Sequence, residues 1–309
     1  VEQVNAGIDL IMPGGDETLQ LHIEAYRSGQ VDEETINTKA RNVLSLIAKT
    51  PKARGYKPTG KPDLEKHREV AYRAAVEGFV LLKNSGVLPI SSSARVALFG
   101  KGSYRTAAGG LGSGITYPRY VVSIAEGLRE RGVVLDEEVE NMYNSVLPKV
   151  FGFLDPAQII RDVRIDILKE NKADMVSWLL FEIIENAIGA LEYTQISEDM
   201  FSEEFLDRVA RRNDVALITI TRISTEGRDR SPVKGDYYLR DDELNLIRKV
   251  SDAFHRYGKK VVVLLNIPGP IDVVSWRDLV DAILVIWMPG QEGGRAVADV
   301  LLGRVSPSG

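Results

Sequence analysis

The side chain best suited to acid–base chemistry is Glu226. It sits in Arg222-Ile223-Ser224-Thr225-Glu226-Gly227-Arg228-Asp229-Arg230, directly after the apolar run Val215–Thr221, beside a glycine and among three arginines. A carboxyl held there could pass a proton to a bound ligand or take one from it. From position alone, a loop glutamate is more often a solvated surface charge. Asp229 and Arg230 suit a structural ion pair that holds the loop. Arg222 and Arg228 could pair with acids or bind an acidic ligand.

A second candidate follows the run Val96–Phe99. Gly100-Lys101-Gly102-Ser103-Tyr104-Arg105 leads into Gly109-Gly110-Leu111-Gly112-Ser113-Gly114. A dinucleotide fingerprint needs a third glycine where Arg105 stands, and a phosphate loop needs Lys-Ser/Thr after its last glycine. Neither is present. What remains is a mobile surface turn, or a loop whose backbone approaches a ligand with the Ser113 hydroxyl on offer. Glu292, in Pro289-Gly290-Gln291-Glu292-Gly293-Gly294, falls in the first turn of a helix, where the backbone dipole explains a negative charge without function. Trp178, Trp276 and Trp287 could stack on a sugar ring, but beside apolar runs they read as core. His22, His67 and His255 are far apart in sequence and read as helix-surface residues, and there is no cysteine, so neither a metal site nor any other cofactor is expected.

Composition narrows the partners. In 309 residues, 44% are hydrophobic and 27% charged, as in a folded globular protein. The net charge of −5 and the lack of a Lys/Arg block argue against nucleic acid or an anionic membrane surface. The most apolar long stretch, Met175 to Tyr193, carries Glu182 and Glu185 and fails as a membrane span. The chain opens on Val-Glu-Gln-Val-Asn without Met or leader and stops at Ser306-Pro307-Ser308-Gly309. Both ends read as cuts, which leaves the cellular location open.

The elements that must hold the candidate loops follow from periodicity. Runs at Val96–Phe99, Val215–Thr221, Val261–Asn266 and Ala282–Met288 alternate with expected helices at Ser123–Arg131, Asp241–Tyr257 and Gln291–Leu302. That alternation predicts an α/β domain with a mostly parallel sheet flanked by helices, over residues 63–309. Asp241, Asp242 and Glu243 supply negative charge at one helix start. A helical, acidic insertion at about 136–212 is expected to pack beside the sheet. Upstream, Gly7 to Gly14 reads as a short buried strand ending in a turn. Helices follow from Asp16 and Asp32, the second with Ile36, Ala40, Val43, Leu44 and Ile47 on one face. One strand and two helices cannot bury themselves, so residues 1–50 read as the tail of something larger. Residues 51–62, rich in Pro, Gly and basic side chains, read as a linker.

Taken together and in order, several segments resemble glycoside hydrolase family 3 of the β-glucosidase type. Asn5-Ala6-Gly7-Ile8-Asp9-Leu10-Ile11-Met12-Pro13-Gly14 resembles the family's segment near the end of its barrel domain. Val80-Leu81-Leu82-Lys83-Asn84 with Leu88-Pro89 resembles the opening of its second domain. The glycine cluster 109–114, Glu226-Gly227-Arg228-Asp229-Arg230, the segment 289–294 and Ala298-Asp299-Val300-Leu301-Leu302-Gly303 through Gly309 match later landmarks.

The resemblance implies an α/β sandwich preceded by the last strand and helices of a truncated (β/α) barrel, from a retaining, exo-acting glycosidase. It implies that Glu226 is the general acid/base and that Ser113 lies near the terminal sugar of a β-glucoside or oligosaccharide. It also implies an aspartate nucleophile in a Ser-Asp-Trp type motif, on the barrel domain expected in cis. No such motif occurs here, since neither Asp9 nor Asp16 has these neighbours. Retaining hydrolysis needs both carboxyls about 5–5.5 Å apart, so the chain alone is expected to be inactive. The alternatives are a parent acting on β-xylosides or β-glucans, and a non-catalytic glycan-binding or structural α/β module.

Overall fold

Side chains alternate between the two faces of a strand, so a run that is apolar at every position can be buried only when both faces are covered. Helices on each side of a parallel sheet meet that condition here. The computed structural model describes residues 1–12, 14–110, 118–147, 196–224 and 230–309. They divide into two units, Val1–Asp63 and Leu64–Gly309.

In the larger unit six strands form one sheet: β1 (Val80–Asn84), β2 (Arg95–Phe99), β3 (Val134–Leu135), β4 (Val215–Thr221), β5 (Lys260–Asn266) and β6 (Ala282–Val285). Their spatial order is β1-β6-β5-β4-β2-β3, with β1 antiparallel to β6 and every other pair parallel. Along β4, Ala216, Ile218 and Ile220 enter one apolar cluster while Val215 and Leu217 enter the other. Val261, Val263 and Leu265 of β5 oppose Val262 and Leu264 in the same way. Each fully buried aliphatic side chain contributes about 1.5–3 kcal/mol relative to exposure.

Helices Glu137–Val146, Glu203–Arg212 and Asp241–His255 cover the first face through Tyr143, Leu206, Val209, Leu246, Val250 and Phe254. Helices Leu64–Gly78, Ile124–Glu130 and Gly293–Leu301 cover the second through Val76, Ile124, Leu128, Val297 and Leu301. The architecture is the mostly parallel α/β sandwich that the sequence pattern predicts. Two strands escaped that pattern, the two-residue β3 and the edge strand β1, whose Leu81 and Leu82 are exposed. Of the insertion at 136–212, the two helices at its ends lie against the sheet, and residues 148–195 fall outside the described residues.

The smaller unit holds helices Glu2–Asn5, Asp16–Arg27 and Glu33–Lys49. Asp32 caps the last of these by accepting the Thr35 N–H at 2.6 Å. That bond, first among several causes, holds the Asp32 carboxyl below its ordinary pKa. The expected buried strand near Gly7–Gly14 is not formed. Ile8, Leu10 and Met12 are exposed, and residues 8–12 make no strand pairing. A strand needs a neighbour for its N–H and C=O groups, and no other strand occurs among the described residues of this unit. The helix from Glu33 has its apolar side chains at the expected spacing, yet Ile36, Leu44 and Ile47 are exposed.

Helices Ile124–Glu130 and Gly293–Leu301 cross at glycines. A Cβ on Gly127 would fall 2.0 Å from the Gly294 carbonyl oxygen, and one on Gly294 would fall 1.9 Å from that of Ser123. Both obstacles are backbone and cannot swing aside. We expect Gly127→Ala and Gly294→Ala each to cost about 3 kcal/mol, the upper part of the usual overpacking range. Urea unfolding checks this, and an unchanged midpoint in both variants would refute the close crossing.

Candidate functional site

Open parallel sheets bind ligands at the carboxyl ends of their strands, where successive connections depart in opposite directions. Here the chain passes from β2 to β3 on one side and continues through β4, β5 and β6 on the other. The switch point lies between β2 and β4. The glycine-rich segment leaves β2 there, and the segment containing Glu226 leaves β4.

The two strand ends meet with no room for side chains. Gly100, at φ +86°, could not carry a Cβ, which would fall 2.1 Å from the Thr219 carbonyl oxygen. Ser103 donates to the Phe99 carbonyl at 2.7 Å and shares a 2.7 Å bond with the Thr219 hydroxyl. Farther along, a Cβ on Gly110 would lie 3.1 Å from the carbonyl oxygen of Ser224. The stems of the two loops therefore touch. Ser113 and Glu226 themselves, with Asp229 and Arg228, lie outside the described residues, as does Trp178.

Buried polar side chains pin these stems. Tyr143 accepts the Gly100 N–H at 2.6 Å and donates to Glu198 at 2.6 Å, while Glu198 also accepts the Lys101 N–H at 3.2 Å. Burial is the first cause that lifts the Glu198 carboxyl above its ordinary pKa, against the pull of the Tyr143 hydroxyl and the Lys101 amide. Burial, then the Glu198 charge, raises the Tyr143 phenol as well. Both groups are thus biased toward their neutral forms.

The far side of the glycine-rich segment is held by the turn after β6. Gly290 N–H donates to the Ala108 carbonyl at 3.0 Å, and Val122 N–H donates to that of Gln291 at 2.9 Å. Glu292 is wholly buried, accepting from the Tyr120 hydroxyl and from Arg295 at 2.7 Å. It is a buried anchor for the loop's exit, where the sequence suggested only a charge at a helix start.

The acid loop has its own anchors. Arg222, 3% exposed, forms a two-pronged ion pair with Glu243, both contacts at 2.7 Å. Arg240 also reaches Glu243, at 3.2 Å, and donates its N–H to it at 2.8 Å. At the other end Arg230 pairs with Asp236, which also accepts the Ser231 N–H at 2.8 Å. That amide first, and the Arg230 guanidinium after burial is overcome, hold the Asp236 carboxyl below its ordinary range. Two polar atoms flanking the loop, Thr221 Oγ1 and Arg230 Nη2, are buried and make no hydrogen bond among the described residues.

Other candidates separate cleanly. Trp276 is 1% exposed and donates to the Asp272 carbonyl at 2.7 Å, so it is core. Trp287 is half-buried at the end of β6, donates to the Gly78 carbonyl at 2.8 Å, and has φ of 49°, rare for a bulky residue. His67 and His255 are exposed, His255 bonding Asp281 at 2.8 Å, whereas the His22 Nε2 is buried without a partner among the described residues. Sequence reasoning missed the anchoring roles of Glu198, Glu243 and Asn266. For Glu243 the acidic helix start was the available signal. The last residue of the β5 run, Asn266, was the signal for the third.

Removing Arg222 would leave Glu243 buried with Arg240 alone. We expect Arg222→Ala to cost about 3 kcal/mol, at the low end for a broken buried pair because Arg240 remains. The double variant Arg222→Met/Glu243→Leu should recover most of that loss. Chemical unfolding of the three proteins checks both statements, and a double variant worse than the single one would refute the second.

Comparison with known proteins supplies the family. Residues 79–309 match the glycosyl hydrolase family 3 C-terminal domain. The chain is 31% identical over 270 residues to β-glucosidase A of Butyrivibrio fibrisolvens, covering 79% of this chain and 28% of that protein. It is 26% identical to an exo-α-(1→6)-L-arabinopyranosidase of Bifidobacterium breve, covering 99% of this chain and 34% of the other. Among solved structures, β-glucosidase 3B of Thermotoga neapolitana, in complex with α-D-glucose, superposes with a TM-score of 0.74 at 43% identity, covering 99% of this chain and 40% of that one. The chain thus spans between about a quarter and two fifths of the length of these relatives. With the doubly covered sheet and its loop-bearing switch point, the match over residues 79–309 means that this chain belongs to glycosyl hydrolase family 3.

Proposed function

We propose that the chain carries the acid/base side of a retaining, exo-acting glycosidase that hydrolyses terminal β-D-glucosides. Glu226 is the general acid/base, and Ser113 stands beside the terminal sugar. The aspartate nucleophile belongs to a barrel domain in cis. Residues 1–50 are the end of that barrel, 51–62 the linker, and 63–309 the sandwich. The observation that supports this reading most is the contact of the two loop stems, Gly110 against Ser224, at the switch point of the sheet.

In the first step the barrel aspartate attacks the anomeric carbon while Glu226 gives its proton to the departing glycosidic oxygen. In the second, Glu226 as base takes a proton from water, which displaces the aspartate and restores the starting configuration. The chain alone lacks one of the two carboxyls and does not turn over. The Bifidobacterium relative, an exo-α-(1→6)-L-arabinopyranosidase, keeps the choice of sugar broader than glucose, and a panel including β-xylosides and β-glucans addresses it.

The test uses the full-length protein, with its barrel, and an aryl β-glucoside. Glu226→Gln should lower kcat/KM by roughly 10²–10⁴-fold. The loss should shrink for dinitrophenyl glucosides, which leave without a proton, and azide should restore part of the rate. An unchanged rate would instead favour a glycan-binding or supporting module. The 309-residue chain alone should show no turnover, and parent-like activity from it would overturn the division of labour between barrel and sandwich.

A further inference from the structure

One buried amide ties together the loops at the carboxyl edge. Asn266 ends β5, which lies between β4 and β6, and it is fully buried. Its Oδ1 accepts the Ala107 N–H at 2.8 Å. Its Nδ2 donates to the Ala107 carbonyl at 3.0 Å and to the Trp287 carbonyl at 2.7 Å, so both amide protons are used. Its own carbonyl accepts the Arg222 N–H at 3.0 Å. Loops leaving β2, β4 and β6 therefore converge on one residue.

The side chain, unlike the backbone, is specific in what it can do there. Ala107 opens the glycine-rich segment just before Gly110, the residue that packs on Ser224 at the root of the acid loop. Trp287 is held in a left-handed backbone that a bulky residue rarely adopts, with its carbonyl turned to the Asn266 amide. An aliphatic residue would leave the Ala107 amide group and the Trp287 carbonyl buried without partners. An ionised aspartate would confront two carbonyl oxygens with negative charge.

We propose that Asn266 is a positioning residue for the glycosidase reaction: its amide fixes the segment leading to Ser113 to the end of β5 and to the turn at Trp287, beside the main-chain bond by which its carbonyl holds Arg222 at the root of the loop that bears Glu226. This rests on the reading of those two residues given above. The Asn266 side chain acts through the glycine-rich segment and the turn at Trp287, and so sets where the terminal sugar stands relative to the acid. Misplacing a reacting group by about 1 Å costs on the order of 10²-fold in rate.

The experiment uses the full-length protein well below its melting temperature. Asn266→Ala should lower kcat/KM about 10²-fold, mostly through kcat, with amide exchange accelerated at 106–110 and 287–290 but unchanged in β4 and β5. In Asn266→Asp the new carboxyl, buried between two carbonyl oxygens, holds its proton to higher pH. Protonated, it regains one donor. The ratio of its kcat/KM to that of the unmodified protein should therefore rise as pH falls, a rescue that Asn266→Ala lacks. Should Asn266→Ala not fold, Asn266→Asp and Asn266→Ser carry the same comparison.

Full kcat/KM in folded Asn266→Ala, or unchanged exchange in both loops, overturns the proposal. So does an Asn266→Asp ratio that does not change with pH. Glu226→Gln separates the two readings. Loss in Glu226→Gln alone removes the positioning role, whereas loss in Asn266→Ala alone keeps that role and moves the acid to another residue.

Discussion

A parallel sheet sealed on both faces has no strand side chain to spare for a ligand. In β4 every residue up to Ile220 is buried, and in β5 only Lys260 is exposed. Whatever chemistry the domain performs is thereby confined to the loops at the ends of the strands. Strand order then selects among those loops. Because β2 sits between β3 and β4, the loops leaving β2 and β4 become neighbours, although the whole 136–212 insertion separates them in sequence.

Loops carry backbone N–H and C=O groups that a dry setting leaves expensive. At this edge buried side chains supply the missing partners. Tyr143 and Glu198 hold the root of the glycine-rich segment, Asn266 its approach, and Glu292 its exit through Tyr120. Arg222 with Glu243 holds the root of the acid loop. These groups tolerate burial because nearly every lone pair and proton is matched, and a half-matched network would be worse than an apolar one. The same matching orders the edge in advance of any ligand, which is what a site acting by placement of charge requires.

Much of this was legible in the sequence. β2, β4, β5 and β6 announced themselves because a strand buried on both faces must be apolar throughout. β3 has too few residues to show a period, and β1 exposes Leu81 and Leu82 like a surface segment. Residues 8–12 have the composition of a strand, but composition supplies no neighbour to pair with. The glycine-rich segment and Glu226 became candidates through their place after strands. The anchors were not, because their partners are remote. Tyr120 lies 172 positions from Glu292, and Ala107 lies 159 from Asn266. No local period records such a pairing.

The crossing of helices Ile124–Glu130 and Gly293–Leu301 also constrains how this sequence can change. Where two side chains touch, growth of one can be absorbed by shrinkage of the other, and lineages wander through such exchanges. At Gly127 and Gly294 main chain meets main chain. Neither position has anything left to give up, so no second-site change in either helix can compensate. Since Glu292 and the turn that grips the glycine-rich segment ride at the start of Gly293–Leu301, this crossing is a fixed datum for the loops at the carboxyl edge of the sheet. Sequence change in this domain should find its freedom in the loops and leave these two glycines untouched.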